Sequence, residues 1–224
     1  MTTIDVTTRP TVVVPGKLYS AGGMITLDGR LSWAPANARG WQPAHTYVRL
    51  LDDRALVIDP GLAAFQDDVV AGLASLLPSG MEVEVLFSRA RHDCIGNLGA
   101  LVEAFDVTRI YTGGVLNPFD AFSAAPLIDT RSRRTAVLRS PDESHLEILH
   151  PALRILTTFW SYDPELKTIF TSDAFTHAIT LTVNARPLIA TTRRRSRRFV
   201  ALSTRPSPGC GAPSPNRSSR ICSV

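Results

Sequence analysis

Residues 88–97, Ser-Arg-Ala-Arg-His-Asp-Cys-Ile-Gly-Asn (SRARHDCIGN), decide the fold of this chain. They follow residues 83–87, Val-Glu-Val-Leu-Phe, whose composition is typical of a buried strand. Side chains at positions i, i+2, i+4 and i+5 after such a strand can converge on one or two cations. Here those four positions are Arg89, Arg91, Asp93 and Cys94. The spacing is that of a metal-binding loop, but arginine has no free lone pair to offer a metal.

The chain before residue 184 alternates between strand and helix patterns. Period-two and buried apolar runs predict strands at 45–51, 55–58, 83–87, 109–111, 135–138, 146–149, 153–158 and 168–170. Apolar residues at helical spacing predict helices at 65–77 and 95–105. Residues 116–134 have weak periodicity, which predicts an irregular surface connection or a lid over a site. Strands mixed with helices indicate a layered α/β (α+β) domain.

Three stretches together carry a resemblance to a known family. The loop RARHDCIG resembles the His-x-(His or Glu)-x-Asp-His-x-Gly loop of the metallo-β-lactamase superfamily, and Gly96 matches its glycine. The stretch AHTYVRLLDDRALVIDPG (44–61) resembles that family's paired early strands and Asp-x-Gly corner. The stretch PALRILTTFWSYDPELKTIFTSDAFTH (151–177) is similar to the flavodiiron-type, oxygen-reducing di-iron branch. The resemblance covers residues 15–182 and implies a four-layer αββα sandwich that is C-terminally incomplete.

The same resemblance assigns the family's metal-ligand positions to residues of this chain. They are Arg89, Arg91, Asp93, Cys94, Arg154 and Asp173, in the order of the family's ligands. Only Asp93 and Asp173 keep the family residue, and the last family histidine has no counterpart before the pattern ends near Asn184. The resemblance also implies that Asp59 orients the loop. Metal occupancy at Asp93 and Asp173 is not expected, because three arginines would repel a cation.

These substitutions predict a metal-free, catalytically inactive protein, or a truncated gene product. Three arginines around two carboxylates should close the site with salt bridges or hold a small anion such as phosphate. No cofactor is expected; if one binds, the resemblance implies di-iron or zinc. The alternative is a metal-dependent hydrolase or di-iron oxidoreductase with a rearranged site, for example one using His92, Cys94, His177 and an aspartate. The thiol of Cys94 has either a lowered pKa at a helix start or an inert, packed environment.

Charge divides the chain into two parts. The whole sequence carries 24 Lys and Arg and 20 Asp and Glu, but residues 185–224 hold nine of the arginines and no acid. Residues 1–184 therefore form an acidic metallo-β-lactamase-like domain of net charge −5, and residues 185–224 a basic tail of charge +9. The tail is rich in Ser and Pro and almost without apolar residues after Leu202, which predicts disorder. Its bias is also typical of out-of-frame translation.

Partners and compartment follow from composition. The tail's arginines suggest phosphate binding, but aromatic side chains for stacking are lacking apart from Phe199, which disfavours nucleic acid as a partner. No apolar run reaches the length of a membrane span, and no signal-peptide pattern opens the chain. Three cysteines without framework spacing indicate a reduced, cytoplasmic protein. A homo-oligomer is compatible with the sequence.

Overall fold

The computed structural model describes residues 4–6, 9–29, 34–112, 127–129, 135–139, 145–149 and 158–173. The chain divides into two units, Met1–Ile189 and Ala190–Val224, and every described residue belongs to the first. The predicted tail at 185–224 and the site candidates Arg154 and His177 lie outside the described residues.

Eight strands form the first sheet. They are β1 (Ile4–Val6), β2 (Thr11–Val14), β3 (Leu18–Leu27), β4 (Gly40–Leu50), β5 (Arg54–Ile58), β6 (Glu82–Phe87), β7 (Val107–Thr112) and β8 (Leu127–Asp129). Their order is β1-β3-β4-β5-β6-β7-β8, with β2 also paired to β3. The strands from β5 to β8 run parallel to one another. Parallel strands end at the same edge of a sheet, so the residues that follow β5 and β6 lie close together.

Among the described residues, three α-helices lie between parallel strands: α1 (Gln66–Leu76), α2 (His92–Ile95) and α3 (Leu98–Ala104). The helix predicted at 65–77 is confirmed as α1, which follows a short 3-10 turn at Ala63–Phe65. The helix predicted at 95–105 is confirmed from Leu98 to Ala104 as α3, but its predicted start is wrong, because Gly96 and Asn97 separate α2 from α3. Asn97 is fully buried, and its side-chain amide donates to the carbonyls of Pro60 and Leu62. No helix among the described residues is long and apolar enough to span a bilayer.

The second sheet has the order β12-β11-β10-β9 and is antiparallel throughout. Its strands are β9 (Thr135–Arg139), β10 (His145–Leu149), β11 (Trp160–Asp163) and β12 (Thr168–Phe170). The strands predicted at 135–138, 146–149 and 168–170 are confirmed. The one predicted at 153–158 falls almost entirely outside the described residues, and β11 was missed. The irregular connection predicted at 116–134 is wrong in part, because it contains β8.

Two apolar cores define the layers of the domain. One lies between the first sheet and its helices and includes Val57, Leu73, Val85 and Leu98. The other lies between the two sheets and includes Ile58, Leu86, Ile148 and Phe170. The two cores alternate along β5 and β6, as expected for strands covered on both faces. The described residues therefore form the α, β and β layers of the predicted sandwich.

A buried ion pair also joins the two sheets. The Arg49 Nε in β4 donates to the Asp163 Oδ2 at the end of β11 over 2.9 Å, and both side chains are almost fully buried. The other oxygen of Asp163 accepts from the Leu166 amide at 2.9 Å, in the turn before β12. Arg49 also pairs with Glu165, which lies in the same turn and is half exposed. The turn of the β11–β12 hairpin is thus held by an arginine of the first sheet.

Candidate functional site

The candidate site lies where three strands end. Asp59 follows β5, Ser88 follows β6, and Asp173 follows β12 by three residues. The two sheets meet here through a hydrogen bond from the Phe159 amide to the Ser88 carbonyl, 3.1 Å long. Residues at the ends of strands in both sheets therefore contribute side chains to one small region. The motif at 88–97 predicted a site in this region.

Asp59 holds the start of the loop in place. Its carboxylate accepts from the Ser88 amide at 2.7 Å and from the Ser88 hydroxyl at 3.0 Å. Its backbone is in the left-handed region at φ 50°, a conformation that non-glycine residues seldom adopt. Burial raises the pKa of Asp59 to about 6, although the hydrogen bonds from Ser88 favour the ionised form. The expected loop-orienting role of Asp59 fits these contacts.

The loop is also packed tightly against the corner after β5. Gly61 and Ile95 form an isolated parallel bridge, and the Gly61 amide donates to the Cys94 carbonyl at 3.2 Å. A Cβ atom on Gly96 would lie 2.6 Å from the Ala63 nitrogen and 2.8 Å from the Gly61 carbonyl oxygen. This close approach confirms that Gly96 permits a tightly packed turn.

Arg89 bridges the two retained carboxylates. One terminal nitrogen, Nη1, donates to Asp173 Oδ2, and the other, Nη2, donates to Asp93 Oδ2. The Arg89 side chain is 6% exposed, against 38% for Asp93 and 27% for Asp173. Burial acts to lower the pKa of Arg89, but Cys94 and the two carboxylates outweigh it and raise the pKa above its usual value. We call Arg89, Asp93 and Asp173 the arginine clasp.

Cys94 lies beside the clasp as a buried thiol. Its sulfur is 3.7 Å from the Ser88 hydroxyl and 3.8 Å from the Ser172 hydroxyl. Burial raises the pKa of Cys94, and the nearby acids Asp59 and Asp93 act in the same direction. Of the two predicted states of this thiol, the packed and unreactive one agrees with this environment, because the thiolate is the reactive form.

The remaining predicted residues are not drawn into the clasp. Arg91 and His92 are exposed, and no ion pair to either is found among the described residues. The expectation that Arg91 converges on Asp93 and Asp173 is therefore wrong. The Arg91 amide donates to the Arg89 carbonyl at 3.0 Å, so the backbone makes a tight turn between the buried Arg89 and the exposed Arg91.

The residues present do not fit a family-type metal centre. Across the described part of the chain, no group of three or more His, Cys, Asp or Glu is placed to hold a metal ion. The two carboxylates at family positions are bridged by a guanidinium, which carries a fixed positive charge and has no lone pair. The sulfur of Cys94 would have to lose its proton in an environment that raises its pKa. We therefore derive no chemistry from a metal here.

Two residues that shape the site, Ser88 and Ser172, were not predicted from the sequence. Ser88 supplies both hydrogen bonds to Asp59, and Ser172 contacts the Cys94 thiol from the other sheet. Ser172 has φ 55°, so a second non-glycine residue in the left-handed region stands at this site. The only sequence signal was position, because each is a small polar residue at a strand end beside a candidate ligand.

Two stacked sheets, helices packed on the first sheet, and a site at the strand ends define the metallo-β-lactamase-type fold. Solved structures of flavodiiron proteins share this fold with the chain. Rubredoxin:oxygen oxidoreductase from Desulfovibrio gigas matches at 16% identity with a TM-score of 0.59, over 74% of this chain and 41% of that one. A diflavin flavoprotein fragment from Nostoc sp. matches at 16% identity with a TM-score of 0.57, over 78% and 67%.

The chemotaxis sensor ODP from T. denticola, in a diiron form, matches at 15% identity with a TM-score of 0.50, over 74% of this chain and 64% of the sensor. The chain thus spans less than two thirds of this sensor and of the Desulfovibrio protein. No protein-family model matches the sequence, and no curated protein sequence is significantly similar to it. The similarity to the flavodiiron branch that the motifs predicted is confirmed at the level of the fold.

Proposed function

We propose that this chain is a metal-free, catalytically inactive form of the metallo-β-lactamase fold, acting as a binding or structural protein. The arginine clasp is the observation that supports this proposal. Two of the similar solved structures, the chemotaxis sensor ODP and a flavo di-iron protein from Thermotoga maritima, are di-iron proteins by name, so iron is the metal that we expect the fold to carry. Here the guanidinium of Arg89 lies between the two acids that the resemblance assigns to metal ligation.

Electrostatics favour the clasp over a metal ion. Two carboxylates close together repel each other unless a cation lies between them. A metal would need several neutral or anionic ligands at short distance, whereas a guanidinium needs only acceptors for its donors. Arg89 supplies that positive charge permanently, since its pKa is raised further above the physiological range. A metal ion entering the site would have to displace a buried arginine.

The test is metal analysis of the purified protein after incubation with excess iron, zinc or manganese and removal of free metal. We expect much less than one bound ion per chain for the wild type. Asp93→Ala and Asp173→Ala are the matched controls, because they remove the carboxylates that would bind the metal. About one or more ions per chain in the wild type, lost in both variants, would contradict the proposal and favour a metal-dependent hydrolase or di-iron oxidoreductase.

The same preparation tests the small anion. Arg89 pairs with two acids, so the three residues of the clasp sum to one negative charge. A bound phosphate would need additional positive charge from residues such as Arg91. The urea midpoint measured with added phosphate separates a site closed by salt bridges from a site that binds an anion. Only a bound anion raises the midpoint as its concentration increases. Sodium chloride at equal ionic strength is the control.

A further inference from the structure

The two acids of the arginine clasp come from different parts of the chain. Asp93 lies in the first turn of α2, and Asp173 lies beyond β12 in the other sheet. Each acid accepts from a different terminal nitrogen of one guanidinium, so the arginine acts as a bridge between two acceptors. The acids have one bridging cation in common, and it is attached to the loop after β6.

The two acids bind the guanidinium group through the directions of its N–H donors as well as through its positive charge. A guanidinium is planar and presents its N–H donors in fixed directions, whereas an ammonium is a single point charge. The third nitrogen, Nε, is buried and has no hydrogen-bond partner among the described residues. The side chain is 6% exposed, so the planar group is enclosed where the two acids meet.

We propose that Asp93 and Asp173 form a binding site for a guanidinium group, which Arg89 fills from within the chain. Shortening Arg89 opens this site to a free guanidinium ion from solution. The inference rests on the proposed function, because it takes the arginine and no metal ion as the resident cation. The ligand class is a planar cation with several N–H donors, and the two acids of the clasp are the residues that bind it.

Arg89→Ala is the variant that exposes the site. It removes the guanidinium that bridges the two carboxylates, and Arg91, the next arginine of the loop, is exposed. We expect the urea midpoint to fall by about 1 M relative to the wild type. Guanidinium chloride on the order of 10 mM, far below denaturing concentrations, should restore most of that loss.

Three controls separate binding from general salt effects. Potassium chloride at the same ionic strength corrects for screening, and methylammonium chloride supplies an equal charge without the planar donor set. Arg91→Ala removes an exposed arginine two residues away and should have the wild-type midpoint with no response to guanidinium. Arg89→Lys keeps the charge, and we expect a midpoint between those of the wild type and Arg89→Ala, with no gain from guanidinium.

Each outcome decides the inference. Saturable recovery of Arg89→Ala by guanidinium alone supports it. Equal recovery by methylammonium, no recovery, or a wild-type midpoint for Arg89→Ala overturns it. If Arg89→Ala does not fold, Arg89→Lys decides: a wild-type midpoint shows that charge alone suffices and overturns the inference, and an intermediate one supports it. Failure here with a metal-free wild type leaves the proposed function intact, whereas a metal-loaded wild type contradicts that function directly.

Discussion

Asp59 shows how burial changes an acid that the loop depends on. Its carboxylate has a pKa of about 6 against an ordinary value of 3.8, so the folded protein binds an extra proton between these values. Because the folded state then holds more protons than the unfolded state, the free energy of unfolding falls as pH rises through this window. A shift of about two units corresponds to roughly 3 kcal/mol.

We therefore expect Asp59→Asn to remove this fall in the free energy of unfolding with rising pH. An asparagine oxygen can still accept from the Ser88 amide, so the loop should keep its conformation. Urea midpoints measured from pH 4 to pH 8 should show the variant gaining on the wild type as pH rises, by about 3 kcal/mol in total. Asp52→Asn, at an exposed acid, is the control and should run parallel to the wild type. Parallel curves for Asp59→Asn would show that Asp59 titrates normally.

For single residues, the sequence predicted which residues belong to the site better than it predicted which of their side chains meet. The ligand positions of the resemblance led to Arg89, Asp93 and Asp173, and these three do meet. Arg91 was expected to join them because the resemblance places it at the family's second ligand position. The chain turns at this point, where the Arg91 amide donates to the Arg89 carbonyl, and the Arg91 side chain is exposed. Side-chain spacing cannot reveal that turn.

At the scale of elements, the most specific prediction concerns Gly96, which follows α2 and packs against the corner after β5. An alanine Cβ at position 96 would approach backbone atoms of Ala63 and Gly61, which cannot move independently of β5 and the 3-10 turn. We expect Gly96→Ala to lower the free energy of unfolding by more than about 2 kcal/mol. Gly80→Ala is the control, because that site has open space and only a positive φ, with an expected cost of about 1 kcal/mol. Thermal unfolding of both variants provides the measurement.

The ion pair between the sheets leads to a second comparison. Asp163→Ala leaves the buried Arg49 without its buried acidic partner and frees the Leu166 amide, so we expect a loss of about 3–5 kcal/mol. Glu165→Gln changes a half-exposed acid in the same turn, where solvent screens the charge, and should cost about 1 kcal/mol or less. Urea midpoints compare the two. Similar losses in both variants would mean that the burial of Asp163 does not increase its contribution to the free energy of unfolding.

Element prediction failed where glycine or short length concealed a strand. β3 contains Gly22 and Gly23, a pair that normally indicates a turn. Gly22 has φ 113°, and a Cβ there would lie 2.5 Å from the Ala44 carbonyl oxygen in β4, so the glycine serves a close approach of two strands. β11 is only four residues long, too short for an alternating pattern to stand out. Both strands are specified by their neighbours.

For the whole molecule, the basic tail remains a prediction from composition. We expect limited proteolysis to remove residues 185–224 first and to leave a resistant fragment ending near residue 185. Mass spectrometry of the digest identifies the boundary. A tail as resistant as the rest of the chain would contradict the prediction. If the tail binds nucleic acid, duplex affinity should fall steeply with salt and vanish on truncation after Asn184.

The fold as a whole was predictable because separate signals agreed. A buried strand, a ligand-spaced loop and a later strand ending in Ser-Asp indicated one arrangement, and the two sheets do meet at that loop. What sequence could not supply is the balance of charges at the meeting point. The position of Asp173 relative to Arg89 depends on how the two sheets pack, which no local pattern encodes.

The ionic contacts between the sheets have a further consequence, for the order of folding events. Arg49 and Asp163 are 114 residues apart in sequence, and Arg89 and Asp173 are 84 apart, so each contact closes a long loop. Such contacts should form after the rate-limiting barrier, when the first sheet is already assembled. Asp163→Ala should then accelerate unfolding while leaving the refolding rate almost unchanged. Stopped-flow measurements of both rates would show this, and the two arginines would set how long the native state persists.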